Sequence, residues 1–240
     1  MRRVIITSGG TREKIDDFRL ITNVSSGKLG SMFAEYFEHM GWLVDFVFTK
    51  HSIYPKIAET NWWDDHAFDY MNYPKDTFGG FEVESANEAM EQLKELIPRA
   101  DAVIHAMAVA DFGFKKDSDL KLKSDDPDAL VEYIKSKIIV NPKIISNFRQ
   151  WNTNPNFFIV GFKFEINKTF NELYEIAHNS LIRNDCNLVV ANDKAEMQKA
   201  KKHIGHIISK YGDSILCKGK EEIVKRVYDI VDKAVEDHDD

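Results

Sequence analysis

The sequence predicts an α/β fold of the Rossmann-like, doubly wound kind. It has a mostly parallel sheet with helices on both faces, a C-terminal β-hairpin and a flap. Short apolar runs rich in β-branched and aromatic residues recur along the chain, as strands buried on both faces require. Segments of helical period separate these runs, and strand–helix alternation implies right-handed crossovers in an open sheet. The first run also passes directly into a pair of glycines, at the place where such sheets hold ligands.

In chain order, the expected strands are Arg3–Thr7, Val44–Thr49, Ala102–His105, Phe157–Phe162 and Leu188–Ala191. The expected helices are Gly27–His39, Ser85–Ile97, Asp128–Ser136 and Thr169–Arg183. In the first helix Leu29, Phe33, Tyr36, Phe37 and Met40 follow the three-and-four spacing of an apolar face. Ser85 with Glu88 three residues on predicts a capping box. Ser52–Gly80 is aromatic-rich (Trp62, Trp63, Phe68, Tyr70, Tyr73, Phe78) and reads as a structured excursion between strands.

The last third changes character. His206–Ser209 and Ser214–Leu216 flank Lys210-Tyr211-Gly212-Asp213 and read as a hairpin. A last helix, Lys220–Val235, repeats Ile223, Val224, Val227, Ile230, Val231 and Ala234 at helical spacing, before an acidic end that frays. No internal repeat or low-complexity linker interrupts the chain, so residues 1–240 are expected to form one domain.

Composition narrows the functional classes. The 240 residues carry 32 basic and 39 acidic side chains, a formal charge of −7. That balance argues against nucleic acid or an anionic membrane as a partner. No apolar stretch reaches the roughly 20 residues that a bilayer needs. Met1-Arg2-Arg3 lacks the apolar core and cleavage site of a signal peptide. Two cysteines, Cys186 and Cys217, are too few for a disulfide framework or a four-thiolate zinc site. The expectation is a soluble protein of the reducing cytoplasm.

Thr7-Ser8-Gly9-Gly10-Thr11-Arg12-Glu13 follows the first strand. Gly9 and Gly10 would let the backbone approach a phosphate, although a Gly-Gly pair also makes a plain tight turn. This is not the dinucleotide fingerprint, which needs a third glycine opening the helix. The second cluster, Asn23-Val24-Ser25-Ser26-Gly27-Lys28-Leu29-Gly30, departs from a Walker A loop. Thr22 stands at its leading glycine and Leu29 where the magnesium-binding hydroxyl belongs. Ser25, Ser26 and Gly27 still offer hydroxyls and amides at a helix amino terminus, where an anion is favoured. Together the two clusters point to a nucleotide or another phosphate ester; a capped helix after a turn is the plainer reading.

Ile6-Thr7-Ser8-Gly9-Gly10-Thr11-Arg12-Glu13, followed by Ile15-Asp16, Arg19, Ile21, Asn23 and Ser25-Ser26-Gly27-Lys28, resembles the phosphopantothenate–cysteine ligases. Ala108-Val109-Ala110-Asp111-Phe112, Lys121-Leu122-Lys123, Asn141-Pro142, Val160-Gly161-Phe162-Lys163-Phe164-Glu165 and Ala191-Asn192-Asp193 continue the likeness in order. In many bacteria this unit is fused behind a flavin-dependent decarboxylase. The present chain starts at the ligase's first strand, so a stand-alone ligase is expected.

The resemblance implies two half-reactions. The carboxylate of 4′-phosphopantothenate attacks the α-phosphate of CTP or ATP and expels pyrophosphate. The amine of L-cysteine then displaces the nucleoside monophosphate from the acyl intermediate and forms an amide. Gly9, Gly10, Ser25, Ser26 and Gly27 would cradle the triphosphate with Lys28 at the edge. Lys121 and Lys123 alternate on an extended segment, and with Lys115 and Lys116 form a cationic exception in an acidic chain. A solvated surface flap is the plain alternative. The resemblance makes Lys121 the triphosphate contact on a flap that closes over the site. The family's common Lys-Ile-Lys-Lys is Lys121-Leu122-Lys123-Ser124 here, so the division of labour between the two lysines stays open.

By the same resemblance Asn23 acts on the acyl-nucleotide intermediate, and Arg19 belongs to the substrate loop. A neutral amide donates to a developing oxyanion without titrating; a helix-start cap is the alternative for Asn23. Ala110 and Asp111, beyond the Ala102–His105 strand, are expected on substrate. Asp111 is also a candidate for ribose or for Mg²⁺, whose remaining ligands are unknown. Phe162 would pack on the nucleoside, and Asn192 and Asp193 would offer polar groups to base or sugar. Lys163-Phe164-Glu165 resembles the ATP-accepting eukaryotic pattern and Ala191-Asn192-Asp193 the bacterial one; the balance favours CTP. Mg²⁺ dependence and a homodimer are implied, because family members build the pantothenate site at a two-fold interface.

Other residues are expected to be bland. His203 and His206 lack nearby acidic ligands and read as surface residues. Asp64, Asp65, His66 and Asp69 read as an acidic loop. His105 reads as a satisfied core histidine, and Cys186 as packing. An NAD(P)-dependent Rossmann oxidoreductase would need the completed glycine fingerprint and an acidic ribose ligand, where Thr49-Lys50 stand instead. A non-catalytic nucleotide-binding module is the other competitor; Asn23 and the two-lysine flap argue against it.

Overall fold

The computed structural model describes residues 1–57, 77–115 and 126–236. The first half supplies β1 (Arg3–Ser8), β2 (Arg12–Lys14), β3 (Leu20–Thr22), α1 (Lys28–His39), β4 (Leu43–Thr49), β5 (Phe78–Val83) and α2 (Ala86–Leu96). Then come β6 (Ala102–His105), β7 (Phe112–Phe114), α3 (Pro127–Lys137), β8 (Ile138–Val140), α4 (Phe148–Trp151) and β9 (Phe158–Glu165). The chain closes with α5 (Phe170–Arg183), β10 (Leu188–Asp193), α6 (Lys194–Ala200), β11 (Ile204–Ser209), β12 (Ser214–Lys218) and α7 (Lys220–Glu236).

Among the described residues the main sheet has eight strands, ordered β12-β11-β10-β9-β6-β1-β4-β5. The six from β10 to β5 are parallel, and β11 and β12 add the expected antiparallel hairpin at one edge. The predicted α/β architecture is the observed one. Successive side chains of β1 divide between two cores: Val4 and Ile6 face α1 and α7, while Ile5 faces α2 and α5. The predicted apolar faces do this packing, with Phe33 and Phe37 of α1 and Val227 and Val231 of α7 fully enclosed.

Local chemistry sets the helix ends. Ser85 accepts the Glu88 amide at 3.2 Å, while the Glu88 carboxylate accepts from the Glu84 amide rather than closing a box on Ser85. A full capping box forms at Thr169 with Glu172.

The excursion Ser52–Gly80 needs one correction: its end belongs to β5, paired parallel to β4. Gly79 and Gly80 hid this strand by breaking the apolar pattern. Both are there for space, because a Cβ on Gly79 would press on Phe81 and Asp45, and one on Gly80 would meet the Tyr54 hydroxyl. Two small antiparallel pairs, β2 with β3 and β7 with β8, lie outside the main sheet. Trp62, Trp63, Asp64, Asp65, His66, Phe68, Asp69, Tyr70 and Tyr73 lie outside the described residues, as do Lys116, Lys121, Lys123 and the acidic end from 237 to 240.

Candidate active site

From β1 the chain moves outward through β4 and β5, then returns to β6 on the other side of β1. Open α/β sheets bind ligands at such a reversal, outside the carboxyl ends of the strands. A cavity of about 990 Å³ opens there. Among the described residues its wall carries five basic side chains, Lys28, Lys143, Lys163, Arg183 and Lys220, against one carboxylate, Asp111. On a chain of net charge −7 this is a local cationic hollow, suited to a polyanion.

Ser25, Ser26, Gly27 and Lys28 are brought together in this wall at the start of α1. Gly27 caps the helix in the left-handed region, φ 70°, without a side-chain cap bond. Its carbonyl accepts from the Ser8 hydroxyl at 3.0 Å, which pins the turn to β1. Helix α1 thereby directs its first amides at the cavity.

Gly9 and Gly10 do not share the wall. Ala108 donates its amide to the Gly9 carbonyl at 2.7 Å, and Thr11 donates to the Ala108 carbonyl at 3.2 Å, so this segment is stitched to the one after β6. A Cβ at Gly9 (φ 88°) would collide with Ser52 and Thr49, and one at Gly10 with the Asn23 carbonyl. At both positions the absence of a Cβ makes room for neighbouring chain.

Asn23 lines the cavity. Its Nδ2 donates to the carbonyls of Ala108 (3.3 Å) and Val109 (3.0 Å), which fixes the amide orientation. It does not cap α1, and both its donors are engaged; Oδ1 is the group left to a ligand among the described residues. Ala110 donates its amide to Thr11 Oγ1 at 2.8 Å, and its carbonyl accepts from Asn141 Nδ2 at 3.0 Å. The exposed Asp111 carboxylate pairs with Lys143. Arg19 is not in the cavity wall: its Nη1 lies 2.6 Å from Asp16, whose other oxygen accepts from the Phe18 and Arg19 amides.

Phe162 stands in the wall, edge-on to Phe33 of α1 at 6.0 Å. Asn192 is also there, its Nδ2 donating to the Ile204 carbonyl. Asp193 is not. Its oxygens accept from the Lys168 and Glu196 amides at 2.9 and 3.0 Å, and the Lys168 amide holds its carboxyl below the usual value.

The surface reading of the two late histidines is overturned. His206 is buried within β11 between two partner strands, where it meets Glu196 at 2.9 Å and Phe170. Half-buried His203 lines the cavity beside Asn192, and burial, then Lys220, lowers its pKa. His105 is buried on β6, its Nδ1 3.0 Å from Thr7 Oγ1, but it too forms part of the wall. A polar stripe on α5 went unread: Asn179, Ser180 and Arg183 line the cavity with Ile176, at helical spacing beside buried Ala177 and Leu181. Among the described residues no group of three acidic, His or Cys side chains could cage a metal ion, and no helix is long and apolar enough to cross a membrane.

A family model described as DNA/pantothenate metabolism flavoprotein C-terminal domain matches residues 1–62 and 71–235. The coenzyme A biosynthesis bifunctional protein CoaBC of Thermococcus kodakarensis is 31% identical over 234 residues, 97% of this chain and 51% of that protein. CoaBC of Methanocaldococcus jannaschii is 30% identical over the same proportions. The chain thus spans about half the length of the curated relatives it matches. Among solved structures, the DNA/pantothenate metabolism flavoprotein from Streptococcus pneumoniae superposes with a TM-score of 0.77 at 26% identity, covering 97% of this chain and 99% of that one. A Cab2 mutant in complex with phosphopantothenate-cysteine shares the fold at 21% identity, with a TM-score of 0.70 over 100% of this chain and 89% of that one.

Proposed function

The chain belongs to the family of the DNA/pantothenate metabolism flavoprotein C-terminal domain, and from that premise we propose that it is a phosphopantothenate–cysteine ligase of coenzyme A biosynthesis. The single observation that carries the chemistry is the cationic cavity at the β1/β6 reversal, walled by the start of α1 and by Asn23. The proposal takes residues 1–240 as one ligase domain acting in the cytoplasm; one sheet built from Arg3 to Lys218 supports the first point, and two buried free cysteines suit the second.

In this reading the triphosphate of CTP or ATP rests on the amides of Ser26, Gly27 and Lys28, with Lys121 and Lys123 as its further cations. CTP is favoured by Ala191-Asn192-Asp193, against Lys163-Phe164-Glu165. Positioned cations and amides favour the charge that accumulates as the pantothenate carboxylate meets the α-phosphate. Asp111 suits Mg²⁺ held by one carboxylate and substrate phosphates, with Lys143 released from its ion pair. The bound ion would neutralise phosphate charge. Asn23, whose donors secure Ala108 and Val109, offers Oδ1 to orient an N–H of the cysteine amine. Arg19, Ala110 and Asp111 would shape the phosphopantothenate side.

The test supplies 4′-phosphopantothenate, L-cysteine and Mg²⁺ with CTP or ATP and follows pyrophosphate. Release with neither nucleotide sinks the assignment. Asn23→Ala should retain pyrophosphate release in the first half-reaction while amide formation slows by roughly 10²-fold. Equal loss in both halves would mean that Asn23 only holds the loop.

A further inference from the structure

His105 is 8% exposed, yet it is one of the residues of the cavity wall. Its proton inventory follows from Thr7, which is fully enclosed. Thr7 Oγ1 accepts the Met107 amide at 3.0 Å, and the contact at 3.0 Å to His105 Nδ1 is the one remaining place for the Thr7 hydroxyl proton among the described residues. If Nδ1 carried the proton, a buried O–H would go unpaired, at roughly 1–3 kcal/mol. The threonine therefore donates to Nδ1, and Nε2 carries the hydrogen. Phe148 packs on the ring at 5.2 Å, and no described side chain or carbonyl accepts from Nε2. A buried N–H left unpaired at a cavity wall asks for an acceptor on a ligand.

The surroundings select the acceptor. His105 lies on the α5 face of the sheet, where Met107, Ile144, Ile145 and Ile176 supply apolar wall and the α5 stripe Asn179, Ser180 and Arg183 supplies a polar rim. Lys143 and Arg183 are exposed side chains, and Lys28 belongs to the start of α1. A neutral donor beside a wall that is part apolar and part neutral-polar fits a flat heterocycle better than a phosphate, which gains more from the cations and from α1. Burial pushes the imidazole pKa down to about 4, so the donor keeps one protonation state throughout the neutral range.

We propose that His105 Nε2–H is the fixed donor that binds an acceptor atom of the nucleobase, which makes His105 a base-reading residue of the nucleotide site. The inference rests on the nucleoside triphosphate-dependent reading above.

Calorimetry on the full chain with Mg²⁺ tests it, using ATP, CTP, ribose 5-triphosphate and inorganic tripolyphosphate. His105→Phe should weaken the preferred nucleotide roughly tenfold, the worth of one buried neutral hydrogen bond, and leave the two base-free ligands within twofold. His105→Gln, which restores an N–H near the same place, should recover part of the loss. An equal loss for ribose 5-triphosphate, or no loss at all, overturns the proposal. ¹⁵N spectra of the wild-type imidazole guard against a misfolded variant: Nε2 should be protonated and should move on nucleotide binding but not on tripolyphosphate binding. A wild-type chain that binds neither nucleotide would instead sink the ligase reading itself.

Discussion

His105 also links the site to stability. Its folded pKa is about 4, against an ordinary value of 6.5, because burial disfavours the charged ring. A depressed base binds fewer protons folded than unfolded between those two values, so stability is complete above pH 6.5 and falls as pH drops towards 4. At pH 5 the loss attributable to this ring is about 2 kcal/mol. Between pH 7 and pH 5, urea unfolding of the wild type should lose about 2 kcal/mol more than that of His105→Phe, whose remaining loss includes the part due to His203. Equal slopes in the two proteins would mean that the imidazole is charged in the fold. The same residue marks the limit of sequence reading. A histidine ending a buried strand was legible as a satisfied core residue, and Nδ1 is satisfied. What leaves Nε2 for the cavity is Thr7 committing its hydroxyl, nearly a hundred positions away in sequence.

Elements that bury one continuous face were legible, and those that exist for fit were not. The helices α1, α5 and α7 announce themselves by apolar spacing, and the parallel strands by unbroken apolar runs. β5 escaped because two glycines make room for Phe81 and Tyr54, and β2, β3, β7 and β8 because three residues set no period. The candidate site divides likewise. Residues 25 to 28 were readable from helix-start chemistry, whereas the α5 stripe gained meaning only once β9 and β10 set it above the cavity. Gly9-Gly10 was readable as special, but that its close neighbours are Thr49, Ser52 and Asn23 from distant loops was not. That yields a prediction for the β1–β2 connection. Gly10→Ala places a methyl against the Asn23 carbonyl and must push the loop before α1 away from Ala108. Melting should fall by only a few degrees, about 1–3 kcal/mol, while nucleotide affinity and turnover fall at least tenfold. An active variant would show that the Asn23 loop adapts freely.

At the scale of the whole molecule, the side carrying β2, β3, β7 and β8 leaves large apolar residues exposed. A two-stranded ribbon is marginal alone and needs a partner face. Here β2 packs beside β7, and Glu13 of β2 uses its buried carboxylate to accept the Ala86 amide at the start of α2, which ties the ribbons to the body. One face of the β7–β8 ribbon is apolar and open: Phe112, 52% exposed, pairs with Val140, 77% exposed, and Ile138 two residues before Val140 is also exposed. Helix α3, between β7 and β8, has no buried residue among those described. This apolar ribbon face, which adjoins Asp111, fits a two-fold contact between copies that borders the cavity. Sedimentation should therefore give twice the chain mass at micromolar concentration. Joint replacement of Phe112 and Val140 by Asp should give a monomer with unchanged far-ultraviolet dichroism. If the second copy completes the phosphopantothenate side, that monomer should keep nucleotide affinity within about threefold and lose ligation by 10²-fold or more. A fully active monomer would remove the partner from the chemistry, and a wild type that sediments as one chain would remove the interface.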